Sequence, residues 1–472
     1  MNKYKNLAFN TVIFAIGTFG SKILSYLLYR LYALNINEAD SNTRDLLAQT
    51  ANFLIPIVTL SMAEALIRYG LDKNYKQHEV FSTSVCICGF GIAGLAVLSP
   101  LFNLISYIDG YAVLLFIYIC TSSIRSLCSQ FVRVRNLVKL FALDGILATF
   151  TFFVFNIIFI AKLGLGVKGF MFSMILSDFC SAVFLFTIAK LWKYLNIRYF
   201  RKDVAKTMLR FSIPLIPTAL MWIITGFSDR LFIRYMKSDT VKLGAGVAGI
   251  YGYAAAVPNL INMASTIVSQ AWNMSAYTEN DSEDRSRFYE KVYSSYQSLM
   301  FVASAFILVT LQITTPLLVP DKVFKAYSGI YVYSPFLVIS SLLMCYNQFL
   351  SSIYSATHHT KNSTWTSFVA CGTNIILNLI LIPRFGIQGA AIATLLSYLA
   401  CYVVRIFDTR RYIPFKVNHF AFILNTSALV ALSVVLIKQP PYYIAFLVLG
   451  FLIIFVGNIQ PIFETAKKLL KR

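Results

Sequence analysis

Charge is scarce in this chain, and long polar stretches are missing. Only 13% of its 472 residues are Asp, Glu, Lys or Arg, about half the share of a soluble domain. The two longest polar segments, Lys190 to Arg210 and Tyr277 to Lys291, are loop-sized, which leaves no room for a soluble catalytic domain. Histidine is sparse as well. His78, His358, His359 and His419 fall at predicted helix ends rather than together, and no large external loop is present. Both absences argue against a membrane-embedded enzyme such as a polysaccharide polymerase. Eight cysteines are scattered through apolar stretches, and Cys86-Ile87-Cys88 has neither zinc-knuckle spacing nor a nearby histidine. No disulfide framework, metal centre or other resident cofactor is expected.

What fills the chain instead is apolar sequence. Hydrophobic residues make up 58%, the mean hydropathy is +0.68, and runs of about 20 apolar residues follow one another, the length needed to cross a hydrocarbon core of about 30 Å. This predicts an all-α integral membrane protein of about fourteen transmembrane helices, from 7–33 through 208–235, 246–275, 362–382 and 387–408 to 418–438 and 442–463. The first stretch, Leu7 to Ala33, is too long for a cleaved signal and reads as the first membrane helix.

The net charge of +21 is read as a topology signal rather than as a nucleic-acid footprint. With the N-terminus inside, cytoplasmic segments take about 27 of the basic residues and external loops about 9. The richest segment carries Lys190, Lys193, Arg198, Arg201, Lys202, Lys206 and Arg210. Arg405, Arg410, Arg411 and Lys416 follow, then the tail Lys467, Lys468, Lys471 and Arg472. Both termini are therefore expected in the cytoplasm, with anionic membrane lipids as neighbours.

The two halves repeat. Asn156 to Ser177 (NIIFIAKLGLGVKGFMFSMILS) aligns with Asn378 to Ser397 (NLILIPRFGIQGAAIATLLS), pairing Asn156 with Asn378, Gly164 with Gly386, Gly169 with Gly389 and Ser177 with Ser397, with two extra residues in the first copy. Phe19 to Lys22 aligns with Phe227 to Arg230. The organisation expected is a six-helix lobe over 1–193, a cytoplasmic linker over 194–207, a second six-helix lobe over 208–408, and two additional helices with a basic tail over 409–472. Repeats six helices apart keep one orientation, and transporters built from parallel repeats hold substrate near midplane between the halves.

Ionisable groups within the hydrocarbon cost roughly 2.5–3.5 kcal/mol each on insertion scales, so they face a cavity or a partner. Lys22 and Arg230 occupy equivalent repeat positions and suit a diphosphate, whose oxygens accept charge-assisted hydrogen bonds. Tyr26 and Arg30 share the face of Lys22 by their four-residue spacing, and Tyr26 and Trp222 offer flat surfaces to sugar rings or a polyprenyl chain. Arg125 lies among the hydroxyls of Thr121, Ser122, Ser123, Ser126 and Ser129. Asp229 stands beside Arg230 and reads first as its neutralising partner. Substrate-binding candidates are thus Lys22, Tyr26, Arg30, Arg125, Trp222, Asp229 and Arg230. The isolated carboxylates Asp144 and Asp178 are the candidates for coupling to H+ or Na+. Glu64 and Arg68, four apart, are expected to pair.

Several segments resemble Wzx-type polysaccharide flippases of the MATE-like MOP exporter superfamily. Phe211 to Ile233 (FSIPLIPTALMWIITGFSDRLFI) looks like their seventh helix, and Gly249 to Ala276, with Gln270-Ala271-Trp272, like their eighth. Leu381 to Ser397 is similar to the start of their twelfth helix, and Asn10 to Lys22 to their opening one. The resemblance covers essentially the whole chain. It implies translocation of undecaprenyl-diphosphate-linked oligosaccharide units across the bacterial cytoplasmic membrane by alternating access, for capsule, O-antigen or exopolysaccharide synthesis, alongside other polysaccharide-assembly proteins. It also carries substrate contact over to Lys22, Asp229 and Arg230. MurJ-type peptidoglycan-precursor flippases have an Arg-Asp pair in the first helix, where Tyr26 to Tyr29 is uncharged here. Drug/cation antiporters of the MATE branch have acidic cavities, unlike the basic one expected here.

Overall fold

The computed structural model of the protein describes residues 24, 27–262, 264–266, 268, 272, 285–318, 330–357 and 359–470. Three of the expected helices, 7–33, 246–275 and 328–355, include residues outside this set, and the candidates Lys22 and Tyr26, together with Gln270 and His358, lie outside it. The described residues are helical, with no strand among them. Ten helical stretches are long and apolar enough to cross a membrane, and a bent pair makes an eleventh. The protein is an integral, multi-pass membrane protein.

Residues 27–35 are helical. Helix α1 (Glu38–Val58) begins where Asn37 accepts a hydrogen bond from the Asp40 backbone N–H at 2.8 Å. Glu38 and Asp40 place negative charge at its positive end. The chain then turns through Leu60 and Ser61, both at left-handed φ, into α2 (Met62–Leu71), bent by 51° from α1. Helices α3 (Gln77–Leu98), α4 (Ala112–Val134), α5 (Val138–Asn156) and α6 (Gly166–Ile188) follow. Next come the short amphipathic α7 (Lys202–Ser212) and α8 (Leu215–Tyr235), separated at Pro214, which has no N–H to continue the ladder. Then come α9 (Ala245–Ala254), α10 (Arg285–Leu318), α11 (Ile330–Ala356), α12 (Thr360–Phe385), α13 (Ile387–Thr409), α14 (His419–Lys438) and α15 (Tyr443–Leu470).

The described chain divides into two compact units between Phe227 and Ser228, within α8. In the first unit, Met62, Phe81, Phe131, Leu185 and Met208 share one buried cluster, with Phe81 and Phe131 stacked at 4.2 Å. Arg68 lies 4.4 Å over the Phe211 ring and makes no ion pair with Glu64, so the expected pairing is corrected. The aromatic face offers more contact than a second exposed charge. In the second unit, Trp272 stacks on Phe349 at 4.6 Å and donates its N–H to Ser352 at 2.7 Å.

The internal repeat is visible in three dimensions. Gly164 and Gly386, paired by sequence, both adopt left-handed φ, +64° and +57°. A Cβ at Gly169 would stand 2.9 Å from the Phe159 carbonyl oxygen, and one at Gly389 would stand 2.3 Å from that of Leu381. In each copy the glycine lets one helix lie directly on the backbone of the helix before it, the small-residue contact favoured where lipid supplies no hydrophobic drive between helices. The two extra residues of the first copy fall after Gly164, in the Gly164-Leu165-Gly166 bend and the start of α6, while the stretch before them, Ile157–Lys162, is wound as a π-helical turn.

The repeat asparagines do parallel work. Asn156 accepts from the Tyr32 hydroxyl at 3.0 Å, and Asn378 donates to Asp229 at 2.6 Å. Each ties the second-to-last helix of the repeated block to the helix that opens its own unit.

Candidate functional site

Among the described residues of the second unit, Asp229 is the most enclosed carboxylate, 1% exposed. Three elements converge on it. From α9, Tyr251 donates its hydroxyl to Oδ2 through a very short contact. From α13, Thr394 donates to Oδ2 at 2.6 Å. From α12, Asn378 and Asn374, one turn apart, donate their amides to Oδ1 at 2.6 and 3.2 Å. Ser228 fixes Asn374 by donating to its Oδ1 at 2.7 Å.

An ionised carboxylate accepts about four hydrogen bonds, and all four come from neutral groups. Hydrogen bonds to a charged group contribute roughly 1.5–3 kcal/mol each, enough to hold the carboxylate in a helical core. Asp229 makes no ion pair among the described residues, so the expectation that it neutralises Arg230 is corrected. Consecutive residues on a helix point about 100° apart, and Arg230 stands half-buried on another face of α8. Asn378 Oδ1 is buried and has no hydrogen-bond partner among the described residues.

The first unit holds a second charged cluster. Arg125 on α4 donates through Nη1 to Asp178 on α6 at 2.9 Å and through Nε to Ser181 at 2.8 Å. Its Nη2 lies 3.8 Å from Asp144 on α5. Ser181 in turn donates to Asp144 through a very short contact. The structure therefore joins three candidates that the sequence leaves apart. One guanidinium serves two carboxylates, beside a cavity of about 230 Å³ lined by Tyr118, Arg125, Thr149, Phe152, Met174 and Asp178 among others. This engagement leaves Arg125 poorly disposed to receive an anion.

Of the remaining candidates, Arg30 is exposed and Trp222 is half-buried on α8. Two further cations are buried. Arg44 is 3% exposed, pairs with Asp45 at 2.7 Å and lies 4.2 Å over the Tyr32 ring. Arg405 is fully buried and donates to Thr366, Ser367 and the Asn347 and Ser363 carbonyls. The sequence places Arg405 with the cytoplasmic basic residues, whereas the structure buries it a full turn before the end of α13. Among the described residues no group of His, Cys, Asp and Glu has metal-ligand geometry.

No known family model matches the sequence. Two uncharacterized membrane proteins of Methanocaldococcus jannaschii are related to it. One is 28% identical over 271 residues, which is 54% of this chain and 61% of the relative. The other is 23% identical over 229 residues, 46% and 44% of the respective lengths. The matched region thus spans about half of the curated relatives.

Solved structures extend the likeness in fold. The lipid II flippase MurJ, in an inward closed conformation, superposes with a TM-score of 0.68 at 15% identity, covering 98% of this chain and 99% of that one. A MOP-superfamily transporter from Pyrococcus furiosus gives 0.63 at 14% identity, covering 87% and 97%. An outward-facing multidrug-resistance MATE transporter gives 0.61 at 15%, covering 88% and 96%. This chain has the fold of the MOP-superfamily transporters.

Proposed function

We propose that the protein is a flippase that carries polyprenyl-diphosphate-linked oligosaccharides from the cytoplasmic to the outer leaflet of the cytoplasmic membrane, by alternating access and with both termini inside. The observation that carries this reading is the extent of the MurJ likeness. A transporter of a lipid-linked substrate matches 98% of the chain, whereas the MATE structures match 87–88%. The likeness of helix seven to Wzx-type flippases supports an oligosaccharide cargo, with Lys22 and Arg230 as the diphosphate contacts.

Ion coupling belongs with the carboxylates. Asp229 makes no ion pair among the described residues, and the neighbouring Asn378 Oδ1 offers a further oxygen. Such a set suits a proton or Na+, a hard cation that takes oxygen ligands. Asp144 and Asp178 share one guanidinium and so retain one surplus negative charge. Asp229 is therefore the stronger coupling candidate.

The test is leaflet-resolved. In a strain lacking the gene, lipid-linked oligosaccharide is expected to accumulate on the cytoplasmic side while surface polymer disappears. The purified protein should move the same lipid across proteoliposomes. Unchanged surface polymer together with altered drug susceptibility would replace this reading with antiport.

A further inference from the structure

The groove between α12 and α13 has a graded wall. Its cavity of about 410 Å³ is lined by Asn362, Trp365, Thr366 and Val369 on one side and by Val404, Phe407, Asp408 and Arg411 on the other. The helices run antiparallel, so these residues order themselves by depth. Arg411 lies just beyond the end of α13, Asp408 and Asn362 meet at the rim, Trp365 and Phe407 come next, and Val369 and Val404 lie deepest. Trp365 is 72% exposed and Phe407 61%. The groove therefore faces the surroundings, with a cationic mouth and an apolar floor.

The mouth is a built structure rather than a loose surface charge. Asp408 holds Arg411 at 3.5 Å. Asp408 is itself fixed by the Tyr354 hydroxyl and the Asn362 amide, each at 2.8 Å. Asn362 also donates to the Tyr412 hydroxyl at 3.0 Å, and His359 stacks on the Tyr412 ring at 4.0 Å. The Arg411 side chain nevertheless stays 77% exposed, so its remaining donors point outward. At this end of the helix pair Asp408 is the one acid between residues 359 and 418, against Lys361, Arg410, Arg411 and Lys416. One carboxylate engages Arg411 from the side and leaves the end of the bundle positive.

We infer that this groove is a binding site for one anionic glycerophospholipid, its phosphate on Arg411, its interfacial region against Trp365, and an acyl chain along Phe407, Val404 and Val369. Three features select that occupant. A guanidinium takes a phosphate through paired N–H donors. An exposed tryptophan one turn inside the charged rim sits at the depth where aromatic belts meet headgroups. The apolar floor continues into the hydrocarbon, which a soluble phosphate would leave uncovered. Basic pockets between membrane helices hold anionic headgroups by the same physics.

The test uses the full chain in nanodiscs of phosphatidylcholine containing a minority of phosphatidylglycerol, followed by native mass spectrometry. One phosphatidylglycerol is expected to stay bound per chain in preference to phosphatidylcholine. Arg411→Ala should weaken its retention about fivefold, the effect of one basic residue near an anionic headgroup. Trp365→Ala should weaken it as well, Arg411→Lys should keep most of it, and Arg201→Ala, an exposed cation elsewhere, should leave it unchanged. A thermal melt of each variant separates lost binding from lost folding. Equal retention of the two lipids, or wild-type retention in a folded Arg411→Ala protein, overturns the site and leaves only bulk lipid at the groove. Displacement of phosphatidylglycerol by polyprenyl phosphate at lower concentration also overturns it, assigning the groove to the transported lipid.

Discussion

Asp229 is one residue from Arg230, yet its acceptor positions are filled by Tyr251, Thr394, Asn374 and Asn378. Replacing it with Asn keeps the shape and removes the charge, so Asp229→Asn should fold normally and lose ion-dependent transport at least about tenfold, the effect of about 1.4 kcal/mol. Lipid flipping measured in proteoliposomes with and without a Na+ or pH gradient checks this, and an unaltered gradient response would remove Asp229 from coupling. The Arg125 cluster predicts a different pattern. Arg125→Gln alone strands two carboxylates and should cost about 3–5 kcal/mol of stability. The triple Arg125→Gln, Asp144→Asn, Asp178→Asn variant should recover most of that loss in a thermal melt, because no unpaired charge remains. If the triple variant is worse than the single, the carboxylates are held by something other than Arg125. The sequence makes these acids conspicuous, since an Asp in an apolar run has few explanations. Tyr251 lies 22 residues from Asp229, but Asn374, Asn378 and Thr394 lie 145 to 165 away, and periodicity within one helix carries no information about contacts that distant. Asn378 was visible as a repeat position, but its role was not.

At the scale of helices, the glycine contacts make the sharpest claim. A methyl group at Gly389 would collide with backbone rather than with a side chain that can swing away. Gly389→Ala should therefore destabilise the α12–α13 pair by about 1–3 kcal/mol. Gly226→Ala, where nothing lies within 4 Å of the added carbon, should be neutral or gain up to about 1 kcal/mol from helix propensity. Unfolding midpoints in one detergent compare the two, and equal shifts would mean that the close approach does not limit packing. The paired glycines and the two-residue insertion were legible as an alignment. The form of the insertion was not, because a widened bend and a longer helix start have the same sequence length. The expected helix 208–235 is interrupted at Pro214, which a count of apolar residues passes over, and the break at Leu60 and Ser61 has no glycine to mark it.

For the whole molecule, the apolar runs alone establish a multi-pass helical protein, because lipid leaves a single chain few other ways to satisfy its backbone. Which helix touches which is a question of side-chain fit, and there the structure adds what sequence cannot. Helices α14 and α15 are packed into the second unit. Phe422 stacks on Tyr402 at 4.6 Å and meets Phe301 and Tyr346, while Tyr443 donates to Gln312 at 2.9 Å. A chain ending at residue 418 should therefore insert in the membrane but melt at lower temperature and lose monodispersity in detergent, as the aromatic faces of α10 and α11 become exposed. Chromatography and a thermal melt of the truncated protein check this, and wild-type behaviour in both would make the last two helices dispensable to the fold.

The glycine contact bridges ten positions in the first copy, Phe159 to Gly169, and eight in the second, Leu381 to Gly389. Slack of two residues has been taken up without moving the point where the two backbones touch. The helix pair thus behaves like a joint with an adjustable strap, its geometry set by the touching point and not by the length of chain around it. Insertions in this bend can accumulate without disturbing the bundle, and the shorter strap of the second copy should be transplantable into the first.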